Sequence, residues 1–184
     1  IDAYESDLVS ISMWIATTTD DYVNETAYLI TNDTSPNNPQ LSLQVWNSGK
    51  VRIAGEQFFC DSDKLVNDGQ LHHIVGRKDG GTLSLYIDNE FQCSASGQSG
   101  LDHGASWFLG AHRTSPDEYG FRGVMTDVKL FDRIVYEYEI EKLYNGEYIE
   151  NIEADYRFSE ITNNTLIDYS NGVNGVLHGD LEWI

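Results

Sequence analysis

Residues 68–76 read Asp68-Gly69-Gln70-Leu71-His72-His73-Ile74-Val75-Gly76, and residues 79–88 read Asp79-Gly80-Gly81-Thr82-Leu83-Ser84-Leu85-Tyr86-Ile87-Asp88. In the second stretch Leu83, Leu85 and Ile87 recur with a period of two, the mark of an extended chain with one apolar face. Asp88-Asn89 closes the run, because both residues tolerate positive φ. His72 and His73 are neighbours on a strand, so their imidazoles point to opposite faces and cannot converge on one metal ion. They are expected to be packed or hydrogen-bonded.

Moving outward, Val9, Ile11, Met13 and Ile15 alternate with Ser10, Ser12 and Trp14. Leu41, Leu43 and Val45 alternate with Ser42, Gln44 and Trp46, and Asn47-Ser48-Gly49 turns that run into a strand carrying Val51 and Ile53. A further strand is predicted over residues 123–131. Only Ile140, Leu143 and Tyr144 share a helical face, with Gly146 placed to end the helix. Many short strands with frequent turn signals predict an all-β fold, a two-sheet antiparallel jelly-roll sandwich with one short helix, and exclude parallel α/β architecture.

The 184 residues suit a single domain, 1–184. Eleven basic residues against thirty acidic ones give a formal charge of -19, which repels a polyphosphate backbone and excludes nucleic acid as a partner. No apolar run approaches the roughly 20 residues that cross a bilayer, so membrane insertion is not expected. The start at Ile1 fits a processed mature form. Three glycosylation tripeptides occur at Asn24, Asn32 and Asn163. With these, a disulfide between Cys60 and Cys93 is expected in an extracellular, secreted or surface-exposed chain, the alternative being two small apolar side chains in a core.

The stretches 68–76 and 79–88 resemble the central hairpin of laminin-G-like, concanavalin A-like jelly rolls, which reads "dgqWHHva…dgg.l.lYvDG". Leu71 stands where that family has Trp, and Asn89-Glu90 where it has Gly. Ser10-Ile11-Ser12-Met13-Trp14-Ile15 is similar to the family's "fTisaWv" strand, residues 121–131 to its "f.G.iddvriy" strand, and Glu139 to Gly146 to its closing helix. Residues 154–159 and 168–179 resemble the family's opening segment, although they stand at the end. Residues 150–184 are therefore expected to supply the opening strands, either by circular permutation within one sandwich or by strand donation and self-association with a neighbouring copy. Permutation is favoured, since one chain then holds every strand it needs.

The expected role is recognition rather than catalysis, although this superfold hosts lectins, enzymes, protein-binding modules and spacers alike. Glu137, Glu139 and Glu141 alternate like glycanase carboxylates, but at a helix start such spacing spreads them around the cylinder. No nucleophile elbow, phosphate loop or zinc-ligand spacing occurs. The expected function is a non-catalytic, lectin-like module binding a glycan or cell-surface ligand in adhesion. The alternative is a structural subunit of an extracellular or virion surface assembly. Sugar stacking needs aromatic rings beside polar groups, so the expected ligand-binding set is Tyr22, Trp46, Trp107, Asp117 and Tyr119, with Trp46 facing outward. Ca²⁺ is the candidate cofactor, because hard cations take clustered carboxylates, here on loops bearing Asp20-Asp21, Asp33, Asp61-Asp63 and Asp117-Glu118. The resemblance adds Asp127, although Thr126 replaces the first Asp of the family's pair. The expected metal set is Asp20, Asp21 and Asp127.

Overall fold

The computed structural model describes residues 8–20, 22–33, 39–97, 106–162 and 165–177. In chain order its strands are β1 (Leu8–Ala16), β2 (Thr26–Asp33), β3 (Pro39–Trp46), β4 (Lys50–Ala54), β5 (Phe59–Leu65), β6 (His72–Asp79), β7 (Thr82–Ile87), β8 (Glu90–Ser96), β9 (Ser106–Leu109), β10 (Val124–Phe131), β11 (Ala154–Thr162), β12 (Thr165–Asp168) and β13 (Gly175–Val176). The helices are α1 (Pro116–Tyr119) and α2 (Glu137–Tyr144). Eight strands form one sheet in the order β13-β12-β11-β10-β1-β6-β7-β8, and five form the other, β5-β4-β3-β2-β9. Every strand pairing is antiparallel, so the fold is the all-β sandwich that the alternation predicts.

The hairpin that opens the sequence reading forms as β6 and β7, pairing from Asp79↔Thr82 to Ile74↔Ile87. Gly80 turns it with φ +52°, and Asp88 and Asn89 take φ 52° and 64° in the next turn. Both are left-handed turns whose twist matches the strands. The alternating apolar rows of β1, β3, β4, β6 and β7 meet between the sheets: Ile11, Met13, Leu43, Ile53, Ile74 and Leu85 are fully buried there. At 25 cal/mol per Å², such side chains contribute about 1.5–3 kcal/mol each.

A second apolar layer lies on the other side of the eight-stranded sheet. There α2 lays Ile140 and Leu143 over Val75, Tyr86 and Phe131, and Trp14 stacks on Tyr144 with ring centroids 5.7 Å apart. The helix begins where the Glu139 carboxylate accepts the Tyr136 N–H (2.9 Å). It ends at Gly146, whose φ is +74°. The single-turn α1 was not expected from the sequence; Pro116 in its first turn and Asp117 and Glu118 beside it favour a helix start.

The segment after α2 lies in this chain's own eight-stranded sheet. Strand β11 pairs with β10 at Val128↔Tyr156 and Leu130↔Ala154, and Ala154, Tyr156 and Leu166 join the core. Asp168 locks the following turn, its carboxylate accepting the N–H groups of Asp155 (2.8 Å), Ser170 (3.0 Å) and Val173 (3.0 Å). These bonds and others like them hold its carboxyl below the usual range against the opposing effect of burial.

The opposite side of the sandwich is stitched shut. Cys60 of β5 and Cys93 of β8 form a disulfide that joins the edge strands of the two sheets. Beside it Lys64 Nζ sits 2.9 Å from Asp88, and the Lys64 N–H donates to Gln92 Oε1 (3.1 Å). Strand β5 has too little apolar alternation for the sequence to announce it. It forms because β4 supplies its backbone partners and the disulfide anchors it.

His72 and His73 point to opposite faces. The ring nitrogens of His72 lie 2.7 Å from Asp88 and 3.1 Å from Asp68. His73 is 1% exposed, beneath Trp14 and Tyr144, with Nε2 2.8 Å from Ser12 Oγ. Burial pushes its imidazole down to about 4, so it is neutral at physiological pH.

Candidate functional site

The face of the five-stranded sheet that looks away from the core is built by the same alternation that fills the core. Leu43, Val45, Val51 and Ile53 point inward and are fully buried, so Ser42, Gln44, Trp46 and Arg52 point outward. On β2 a bulge between Tyr28 and Ile30 sends both Leu29 and Ile30 inward and leaves Tyr28 and Thr31 outside. Register then aligns two rows across the strands. One runs Tyr28, Gln44, Arg52, Asp61, and the other Phe108, Thr31, Ser42, Ala54, Phe59.

At one end the Arg52 guanidinium lies between two rings, 4.5 Å from the centroid of Trp46 and 3.7 Å from that of Phe59. Each such cation–π contact contributes about 0.5–1 kcal/mol at a partly exposed site. Asp61 grips the same group from the side, accepting from Nε (2.6 Å) and Nη2 (2.9 Å). The planar fork is thus fixed in orientation. Phe59 remains 52% exposed. Next to this stack Gln44, only 7% exposed, donates from Nε2 to the buried Ser42 Oγ (2.9 Å).

At the other end Tyr28 meets His112 at 5.0 Å and Tyr119 edge-on at 5.8 Å. The segment carrying α1 brings these rings in: the Gly110 N–H donates to Leu29 O (2.9 Å), the Phe121 N–H to Gly110 O (2.8 Å), and Gly120 forms a parallel bridge with Tyr28. Thr31 Oγ1, and Trp46 Nε1 within the stack, are buried and have no hydrogen-bond partner among the described residues. Each costs about 1–3 kcal/mol until a water or a ligand hydroxyl reaches it.

The sequence-predicted ligand residues divide between this face and the core. Trp46 and Tyr119 lie on the face, and Asp117 is exposed in the first turn of α1 near Tyr119. Tyr22 is 3% exposed and belongs to the core. Its ring plugs the link between β1 and β2, its N–H donates to Asn47 Oδ1 (2.6 Å), and burial raises its phenol above the ordinary value. It cannot stack on a sugar. Trp107 is opposite Asn32 on β9 and packs half-buried against the core, so it too is off the face. Arg52, Phe59, Asp61, Gln44, Tyr28 and His112 were missed. Arg52 could have been found, since Lys50 and Arg52 alternate with Val51 and Ile53 exactly as Trp46 does with Val45.

Among the described residues the expected metal ligands are not drawn into one cluster. Asp20 is exposed, Asp21 lies outside the described residues, and Asp127 is ion-paired with Lys129, which also reaches Asp155 (3.7 Å). Asp61 and Asp63 are on strand β5 rather than a loop, and Asp61 is taken by Arg52. Among the described residues no group of three His, Cys, Asp or Glu side chains could hold a metal ion. Of the three α2 carboxylates, Glu137 is paired with Arg77 and Tyr86, and Glu139 with Arg133. Of the glycosylation tripeptides, Asn24 is exposed in a turn, Asn32 is 4% exposed within β2, and Asn163 lies outside the described residues.

Residues 3–141 match the family model of the concanavalin A-like lectin/glucanases superfamily. The chain belongs to that superfamily. The match stops short of β11–β13, the strands that extend the sheet beyond β10. Among curated proteins none matches the sequence. Several solved structures share the fold. A protein of Bacteroides ovatus, described as a candidate carbohydrate-binding protein, superposes with TM-score 0.75 at 15% identity over 92% of this chain and 51% of its own. The chain thus spans about half the length of that relative. The CBM40 of a Ruminococcus gnavus IT-sialidase, bound to α2,3-sialyllactose, gives TM-score 0.61 at 13% identity over 77% of this chain and 84% of its own. Domain 4 of a GH43 extracellular arabinanase from Geobacillus stearothermophilus, in complex with arabinotriose, gives 0.60 at 20% identity over 78% and 70%. At these identities the likeness is one of fold.

Proposed function

We propose that the protein is a non-catalytic recognition module that binds a glycan on the outer face of its five-stranded sheet and works in an oxidising, extracellular setting. The observation that carries the reading is the Trp46–Arg52–Phe59 stack clamped by Asp61, with Tyr28 and Tyr119 at the other end of the same sheet face. Large rings with an exposed edge, beside a guanidinium held at a fixed angle, suit recognition of a sugar's alternating apolar faces and hydroxyls. The binding modules among the structural relatives, one holding sialyllactose and one arabinotriose, support it. The disulfide supports the setting, since such bonds persist where thiols are not kept reduced. The non-catalytic reading is supported by the carboxylates Asp61, Glu137 and Glu139, each of which is engaged by an arginine.

The test is a titration of soluble polysaccharides and oligosaccharides into wild type and Phe59→Ala. Phe59 is half exposed, so its truncation should leave the melting temperature within a few degrees while weakening binding about tenfold or more, the scale of one lost stacking contact. A chelator should leave the affinity unchanged. Binding that Phe59→Ala does not alter would move the site elsewhere.

A further inference from the structure

The charge state of the proposed face says which class of glycan it accepts, an inference that rests on the reading above. Arg52 has five N–H donors and no acceptor. Two of them go to Asp61, and the rings of Trp46 and Phe59 lie 4.5 Å and 3.7 Å from the guanidinium carbon. Three donors remain without a partner among the described residues, on a side chain that keeps 21% exposure. The charge of Arg52, by contrast, is already matched. Asp61 neutralises it in a two-bond fork, and the neighbouring Lys50 lies 3.9 Å from Asp63. The group therefore offers direction without net attraction for an anion.

A sugar bearing a carboxylate or sulfate would meet Asp61 and Asp63 on the same strand, within a chain of formal charge -19. Like charges at short range disfavour it, and the two cations beside the stack, Arg52 and Lys50, each already face a carboxylate. A neutral sugar meets no such penalty, because its vicinal hydroxyl oxygens need only donors held at fixed angles. We infer that the site takes an uncharged glycan and that Arg52 donates to neighbouring ring hydroxyls, while Asp61 acts as the filter against acidic sugars by keeping that arginine neutralised.

The discriminating variant is Asp61→Asn. Its amide oxygen still accepts from Arg52, but the compensating charge is gone. Wild type, Asp61→Asn and Arg52→Lys would be tested by affinity electrophoresis and calorimetry on neutral polymers (arabinan, xylan, mixed-linkage β-glucan) and acidic probes (polygalacturonate, α2,3-sialyllactose), in 20–500 mM NaCl. Wild type should bind at least one neutral polymer with an affinity that salt leaves unchanged, and should not bind the acidic probes. Asp61→Asn should gain binding to polygalacturonate that falls as salt rises. Arg52→Lys keeps the charge but loses the fork, and should lose about tenfold in affinity for the neutral polymer with its melting temperature little changed. Wild-type preference for the acidic probes, or an Asp61→Asn protein that still rejects them, overturns this inference and leaves glycan binding standing. Absence of binding to every polymer in the panel overturns the glycan reading itself, and this inference with it.

Discussion

Removing the disulfide by the double substitution Cys60→Ala and Cys93→Ala should lower stability by an amount that the loop it closes defines. The two cysteines are 33 residues apart in sequence, and closing a loop of that length removes ~12.5 cal/mol/K from the unfolded chain in the chain-entropy model, or ~3.7 kcal/mol at 25 °C. Unfolding entropy of about 2.1 cal/mol/K per residue over 184 residues makes the midpoint slope ~0.4 kcal/mol/K. The expected fall in melting temperature is therefore ~10 °C. Native contacts at that edge survive, because Lys64 still reaches Asp88 and Gln92, so the variant should fold. Scanning calorimetry on the oxidised protein, the protein in reductant and the double variant measures it, and the last two should coincide. A fall below about 3 °C would refute the reasoning, since β5 would then be held at the sandwich edge with no help from the cross-link.

Two other outcomes follow from buried groups and from the order of strands. His73 binds its proton at about 4 in the folded chain and near 6.5 when unfolded; its contribution is complete above pH 6.5 and is lost as pH falls toward 4, about 3 kcal/mol in all. Urea melts of wild type and His73→Gln between pH 7 and pH 4 should diverge by that amount, with wild type the steeper, and parallel curves would refute it. Ending the chain at residue 149 strips β11–β13 from β10 and bares Val128 and Leu130 where Ala154, Tyr156 and Leu166 now cover them. Light scattering should find the full chain monomeric and the shortened one aggregated, with the 150–184 peptide added in trans restoring solubility. A shortened chain that stays monomeric with the same near-ultraviolet spectrum would refute it.

The core and the site differ in how much of each could be read from residues alone. Period-two rows such as Ile11-Met13-Ile15 and Leu41-Leu43-Val45 commit each strand to one buried face. The same alternation turns Trp46 outward, and the turn chemistry of Asp88-Asn89 and Gly146 stands in the residues themselves. Those signals are local, carried by side-chain direction over a few residues. Strand β5, with Asp61, Asp63 and Lys64 in its middle, has no such signal and exists because of what lies beside it. Tyr22 and Tyr28 show the limit most clearly, for both are tyrosines in polar surroundings. A turn drives the first into the core, and a bulge leaves the second on the face. Composition and periodicity thus determined that the chain makes a two-layer antiparallel sandwich, while the Cys60–Cys93 bridge was an expectation that the fold made good. Which aromatic rings share a surface, and that Arg52 sits between two of them with Asp61 at its edge, was decided by cross-strand register. Register sums hydrogen bonds and packing between residues distant in sequence, and no local stretch encodes it.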